Sequence, residues 1–170
     1  EQELLELAER LSAQVATTIS GKGSITEEHP LAVGVVGSNG GTPETRAIVD
    51  QADLVVFVGC RAGSVTTERW RHPAPGKVKV IHLDVDPAVL GVNYRVDAAL
   101  VGDAKLALAA LNQALATTKR PLEASAVQKA KEEKFAKFRG LAQSGDKPIK
   151  PERVVAEVAR SLDPDAIVVV

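Results

Sequence analysis

One cysteine, Cys60, stands in the whole chain, which rules out an internal disulfide and any zinc site built on several thiolates. Aromatic residues are equally scarce, at 3%: Phe57, Phe135, Phe138, Trp70 and Tyr94. Binding single-stranded nucleic acid takes a platform of stacked rings, and this chain cannot supply one. The formal net charge is -1, so no field over the whole surface draws in a polyanion, and no nucleic-acid partner is expected. No apolar run reaches membrane-spanning length, and no basic-then-apolar leader opens the chain. A soluble, cytoplasmic protein with no membrane partner is the expectation. His29, His72 and His82 are isolated from one another in sequence, so no metal site is expected. Methionine is absent even from position 1, and the chain is expected to be an excised segment.

What is present is a Val- and Ala-rich chain, 45% apolar over 170 residues. That length fits one ordinary domain with an appendage, and the composition suits a layered α/β fold. The most informative stretch is 77–87, where the apolar run Val78 to Leu83 ends on two carboxylates, Asp84 and Asp86, and Pro87 stops the strand. A buried parallel strand finishing on an acid can hold a ribose, because open α/β sheets bind ligands at the carboxyl ends of their strands. A second strand-like run, 53–59, ends on Gly59 and is followed by Cys60 and Arg61. No cluster of residues could carry a reaction alone.

Along the chain, Leu4, Leu5, Ala8 and Leu11 fall at helical spacing, with glutamates in the first turn to suit the helix dipole. Residues 14–19 read as a short strand, 31–36 as an apolar run, and 37–41 as a flexible turn. Thr42, Pro43 and Glu44 then read as an N-cap, a proline at the first helical position and an acidic first turn. The helix they start runs to about Ala52. Strands are predicted at 54–58, 78–83 and 98–101, a loop at 60–76, a short turn or helix at 87–90, and a helix over 103–115. This alternation implies parallel strands joined by right-handed crossovers. The charged stretch 119–143 reads as a solvated connecting helix anchored by Phe135 and Phe138. A helix at 151–162 and an apolar strand at 166–170 complete the chain.

Three blocks carry a resemblance to a known family. They are 15–23 with His29, Pro30 and Leu31; 37–61, containing ADLVVFVGCR; and 82–87 (HLDVDP) through Val101, Gly102 and Asp103. In order and spacing the chain resembles the central domain of thiamine-diphosphate-dependent enzymes of the acetohydroxyacid (acetolactate) synthase type. The resemblance covers about residues 3–117, and 148–170 looks like the approach to the diphosphate-binding domain that follows in those enzymes. It implies a doubly wound, parallel, Rossmann-like α/β sheet with a C-terminal helical extension. The division it implies is 1–117 as central domain, 118–147 as charged helical linker and 148–170 as the truncated start of the next domain. It also implies a parent enzyme that cleaves or transfers an acyl group from a 2-keto acid or related substrate. Thiamine diphosphate and Mg2+ would be bound by segments outside this chain, with the remaining domains and a homo-oligomer as partners. The segment itself would be noncatalytic. Its cleft would take FAD, as in flavin-containing members, or ADP, as in oxalyl-CoA decarboxylase, or stay empty.

The implied cofactor contacts are Thr18, Ile19 and Ser20 along the flavin end; Gly37, Asn39 and Gly40 in the turn approaching the cofactor; Gly59 and Arg61 facing the pyrophosphate; Asp84 and Val85 at ribose and adenine; and Asp103 on the adenine side. A guanidinium suits a pyrophosphate as a bidentate partner. Flavin-binding members usually carry histidine where Asn39 stands and Phe-Asp-Asp-Arg where this chain has 62–65, and Gly41 looks like an insertion. Each residue also has a plainer role: Gly37, Gly40 and Gly41 in turn geometry, Asp84 and Asp86 capping the short helix at Pro87, Asp103 capping the next helix, Arg61 in a surface ion pair. Family members open with a strand ahead of the first helix, at the centre of the sheet. Its absence here would leave unpaired edges that the run 166–170 is expected to fill, unless an upstream strand does. Two other classes stay open: a stand-alone nucleotide-binding regulatory or redox module, and a purely structural oligomerisation domain.

Overall fold

The computed structural model describes residues 1–163 and 165–168. The chain divides into two compact units, 1–130 and 131–170. The first holds helix α1 (Gln2–Leu11), strands β1 (Val15–Thr17) and β2 (Ala32–Val35), helix α2 (Pro43–Asp50), strands β3 (Leu54–Val58), β4 (Lys79–Asp84) and β5 (Ala98–Val101), and helix α3 (Ala104–Ala114). Helix α4 (Ser125–Ala142) carries the chain into the second unit, which contains α5 (Pro151–Ser161).

All described strand pairs are parallel: β1 with β2, β3 with β4, and β4 with β5. Helix α2 links β2 to β3. It starts where the sequence predicts. Thr42 accepts a hydrogen bond from the Thr45 amide, the Thr45 hydroxyl receives the Thr42 amide at 2.9 Å, and Pro43 occupies the first turn. The crossover from β3 to β4 contains no helix, and residues 60–76 cross as turns, as their prolines and glycines imply.

The predicted single sheet is interrupted. Strands β1 and β2 form one sheet, and β3, β4 and β5 another, in that order. Strand β3 therefore keeps one edge unpaired among the described residues, although Leu54 to Val58 is apolar throughout, and Leu54 and Val56 are each 42% exposed. A run of that composition normally has neighbours on both sides. The expected strand at 166–170 is corrected in part: 166–168 form no strand and Ile167 is 91% exposed, while Val169 and Val170 lie outside the described residues.

Two apolar clusters support the first unit. Phe57, Ala62, Val80 and Tyr94 pack together, with the Phe57 ring 5.4 Å from that of Tyr94 and 5.7 Å from that of His82. His82 is buried on β4, its Nε2 bonded to the Cys60 carbonyl at 2.9 Å, and the Tyr94 hydroxyl donates to the Pro73 carbonyl. Ala8, Leu31 and Ala124 form the second cluster, with Val15 against it. The approach to α4 is tied to the carboxyl end of α1, since the Glu123 amide donates to Ser12 Oγ and the Arg120 amide to the Arg10 carbonyl. In the second unit, Arg153 donates to the Ser144 carbonyl and closes the loop before α5.

Candidate functional site

Because β3, β4 and β5 are adjacent and parallel, their last residues, Val58, Asp84 and Val101, end at one rim. Gly59 and Arg61, Asp84 and Val85, and Asp103 follow from these three ends. The ends of β1 and β2 carry the other predicted set: Thr18, Ile19 and Ser20 after β1, and Gly37, Asn39 and Gly40 after β2. Each set follows the carboxyl ends of its own sheet, where open parallel sheets place their ligands.

The acids on this rim serve the backbone first. Asp84 Oδ1 accepts the Asp86 amide at 3.0 Å, and Asp86 Oδ1 accepts the Ala88 amide at 2.9 Å. These two consecutive side-chain turns reverse the chain at Pro87, and 87–90 is a turn, not a helix. Asp103 is the N-cap of α3, its Oδ1 accepting the Leu106 amide at 3.0 Å. An ionised carboxylate offers about four acceptor sites, so one amide each leaves Asp84 and Asp103 with capacity for sugar or base donors. Arg61 is exposed, and its carbonyl accepts from Asn93 Nδ2 at 2.8 Å.

The glycines divide into two kinds. Gly59 has φ +56°, and a Cβ there would meet nothing within 4 Å, so its backbone faces open space. Gly37 is different. A Cβ on Gly37 would fall 2.5 Å from the Val65 carbonyl oxygen, and one on Gly41 would fall 2.7 Å from the Gly37 carbonyl oxygen. Gly40 faces the side chain of Val35. The turn 37–41 lies against its own chain, and Gly37 and Gly41 leave no room there for a side chain. Asn39 is exposed beside it. Thr18 Oγ1 accepts the Gly21 amide at 2.9 Å, while Ile19 and Ser20 are exposed.

Arg46, Thr67 and Glu68 also shape this rim, and the sequence reading does not single them out. Glu68 lies inside what reads as loop, yet it is buried and paired with Arg46. Its one sequence signal is a lone acid in a stretch otherwise rich in arginine.

Away from the rim, a cleft of about 260 Å³ lies at the amino ends of β3 and β4, between Asp50, Ala52, Arg71 and Lys77. A broader one of about 450 Å³ runs between α1 and α3. Two histidines are engaged by acids: His29 with Glu9 at 3.2 Å, and His72 with Asp50 at 2.8 Å. Among the described residues no group of three or more His, Cys, Asp or Glu is placed to hold a metal ion, and no helix is long and apolar enough to cross a membrane.

A parallel α/β domain with acids and glycines at its carboxyl edge defines a broad class. Comparison narrows it: residues 1–111 match the family described as thiamine pyrophosphate enzyme, central domain. Over 162 residues, 95% of the chain, it is 38% identical to a protein of Methanocaldococcus jannaschii named "Probable acetolactate synthase large subunit" and covers 27% of that protein. It is 34% identical over 163 residues to the acetolactate synthase large subunit of Parasynechococcus marenigrum, covering 95% of this chain and 26% of that one. With the acetolactate synthase of Arthrospira platensis it shares 41% identity over 113 residues, 62% of this chain and 18% of the relative. The chain belongs to the thiamine pyrophosphate enzyme central-domain family. It spans about a quarter of the length of the first two of these relatives.

Proposed function

We propose that this chain is the noncatalytic central domain of a cytoplasmic, homo-oligomeric, acetolactate-synthase-like enzyme that cleaves or transfers an acyl group from a 2-keto acid. The observation that carries this reading is the 38% identity maintained over 162 residues, well past the 111 that match the family. In this reading, thiamine diphosphate and Mg2+ belong to the enzyme's other domains, and thiamine diphosphate supplies the acyl-carbanion chemistry when bound.

The domain's own contribution is architecture and a nucleotide rim. Asp84 and Asp103 accept from ribose and adenine donors, Arg61 faces the diphosphate, and the open backbone at Gly59 admits close approach. These groups fit the adenylate that FAD and ADP share. The turn 37–41 is engaged by residues 65–66, so close backbone approach to a flavin ring at Gly37 has no support. ADP is therefore the better match for these residues.

Two measurements test the reading. The full-length enzyme, given thiamine diphosphate and Mg2+, is expected to form acetolactate from pyruvate; failure with pyruvate and with other 2-keto acids refutes the assignment. Calorimetric titration with ADP, FAD, NAD and CoA is expected to show binding of ADP. Silence toward all four refutes the nucleotide rim and leaves a structural domain.

A further inference from the structure

Among the described residues no strand of one sheet pairs with a strand of the other, yet the candidate site residues follow strands of both. Something else must set the distance between the turn after β2 and the loop after β3. The structure assigns this role to a latch made of Arg46, Glu68 and the coil that carries Glu68.

Glu68, Arg69 and Trp70 have φ of +52°, +61° and +57°, three consecutive non-glycine residues in the left-handed region. Such runs are disfavoured for L-residues and persist only when their surroundings over-determine them. Here the anchors are Thr67 and its neighbours. Thr67 Oγ1 donates to the Gly63 carbonyl and accepts the Trp70 amide, both at 3.0 Å. The amides of Arg71 and His72 converge on the Thr67 carbonyl, and that of Arg69 on the Ser64 carbonyl. Arg71 Nε donates to the Glu68 carbonyl at 2.9 Å.

This coil points the Glu68 carboxylate inward, where Oε1 accepts from Arg46 Nε. Arg46, on α2, turns its Nη2 to the Gly41 carbonyl at 3.3 Å. One guanidinium thus joins the loop after β3 to the turn after β2. The Ser38 amide adds a direct tie to the Val65 carbonyl at 2.8 Å, in the place where Gly37 lies too close to Val65 for any side chain.

We propose that Arg46 and Glu68 are positioning residues. They hold the loop after β3, which carries Gly59 and Arg61, against the turn 37–41, and so set the position of the diphosphate contacts in the adenine-nucleotide rim. The last step rests on the nucleotide reading above; the fixing of the turn does not.

The test compares full-length enzyme with its Glu68→Ala, Glu68→Gln and Arg46→Lys variants, using amide hydrogen exchange resolved by segment and calorimetric titration with ADP. Glu68→Ala is expected to speed exchange in 37–41 and 63–70 at least tenfold while β3 and β4 keep their protection. It is also expected to weaken ADP at least tenfold. Glu68→Gln keeps an acceptor for Arg46 Nε and falls between wild type and Glu68→Ala. Arg46→Lys keeps the charge but cannot reach both partners at once, and it follows Glu68→Ala. Unchanged exchange in 37–41 overturns the latch. Loosened exchange with unchanged ADP affinity overturns its link to the rim. A wild type that binds no ADP defeats the nucleotide reading, and exchange then judges the latch alone. Should Glu68→Ala fail to fold, Arg46→Lys carries the same comparison.

Discussion

Asp103 is where a structural role and a proposed ligand role coincide, and substitution can separate them. Its Oδ1 accepts the Leu106 amide at 3.0 Å, with backbone angles φ -61° and ψ 131° suited to an N-cap. Removing a capping side chain costs about 1 kcal/mol. Asp103→Ala should therefore lower the unfolding free energy by that amount, a fall in melting temperature of roughly 4 °C for a domain of this size. Asn caps a helix about as well as Asp. Asp103→Asn should give up only the carboxylate's interaction with the amino end of α3, about 0.5 kcal/mol. The two variants should differ little toward ADP, because both delete the charged acceptor. Losing a hydrogen bond to a charged group costs about 1.5–3 kcal/mol, or roughly 10- to 150-fold in affinity. Urea denaturation and calorimetric titration supply the two numbers. If Asp103→Asn binds ADP like wild type, the residue is a cap and nothing more. If Asp103→Ala loses no stability, the capping argument fails instead.

Three further outcomes follow from the packing. Leu31 is fully buried against Ala8 and Ala124, so Leu31→Ala should cost about 3 kcal/mol in urea denaturation. Gly59→Ala should cost only about 1 kcal/mol, since it meets open space at φ +56°. Gly37→Ala, at φ +98° with the Val65 carbonyl 2.5 Å from the new Cβ, should cost about 3 kcal/mol or more; equal losses at the two glycines would refute the distinction. Burial, the larger influence, pushes the Tyr94 phenol above its ordinary 10.0, and the Thr67 side chain opposes the shift. The folded state then holds a proton that the unfolded chain releases first. Stability should be intact below pH 10 and fall as pH rises toward the folded value. Tyr94→Phe should flatten that alkaline loss in denaturation series run between pH 9 and 11.

Much of the fold is legible where local chemistry and tertiary demand agree. Thr42 and Pro43 announce α2 because an N-cap needs a hydroxyl acceptor and the first turn needs no amide. The apolar run in β3 announces a parallel strand, and Asp84 and Asp103 announce where strands end and a helix begins. The glycines of 37–41 were harder. Their spacing is equally compatible with a ligand and with another stretch of chain, and the contact with Val65 depends on a segment 28 residues away. Arg46 and Glu68 were illegible for a related reason. They lie 22 residues apart, and neither sits in a periodic pattern. Residues 166–168 form no strand, because apolar composition states a preference without supplying a partner edge; Val169 and Val170 lie outside the described residues.

The sequence by itself determined where most strands and helices lie and the placing of acids at their ends, because each depends on side chains within a few positions of one another. Only the tertiary structure decided that the sheet is interrupted, that 37–41 is engaged by its own chain, and that a left-handed coil delivers Glu68 to Arg46. These depend on which distant segments meet. No local propensity encodes that, because burial and hydrogen bonding across long loops decide it.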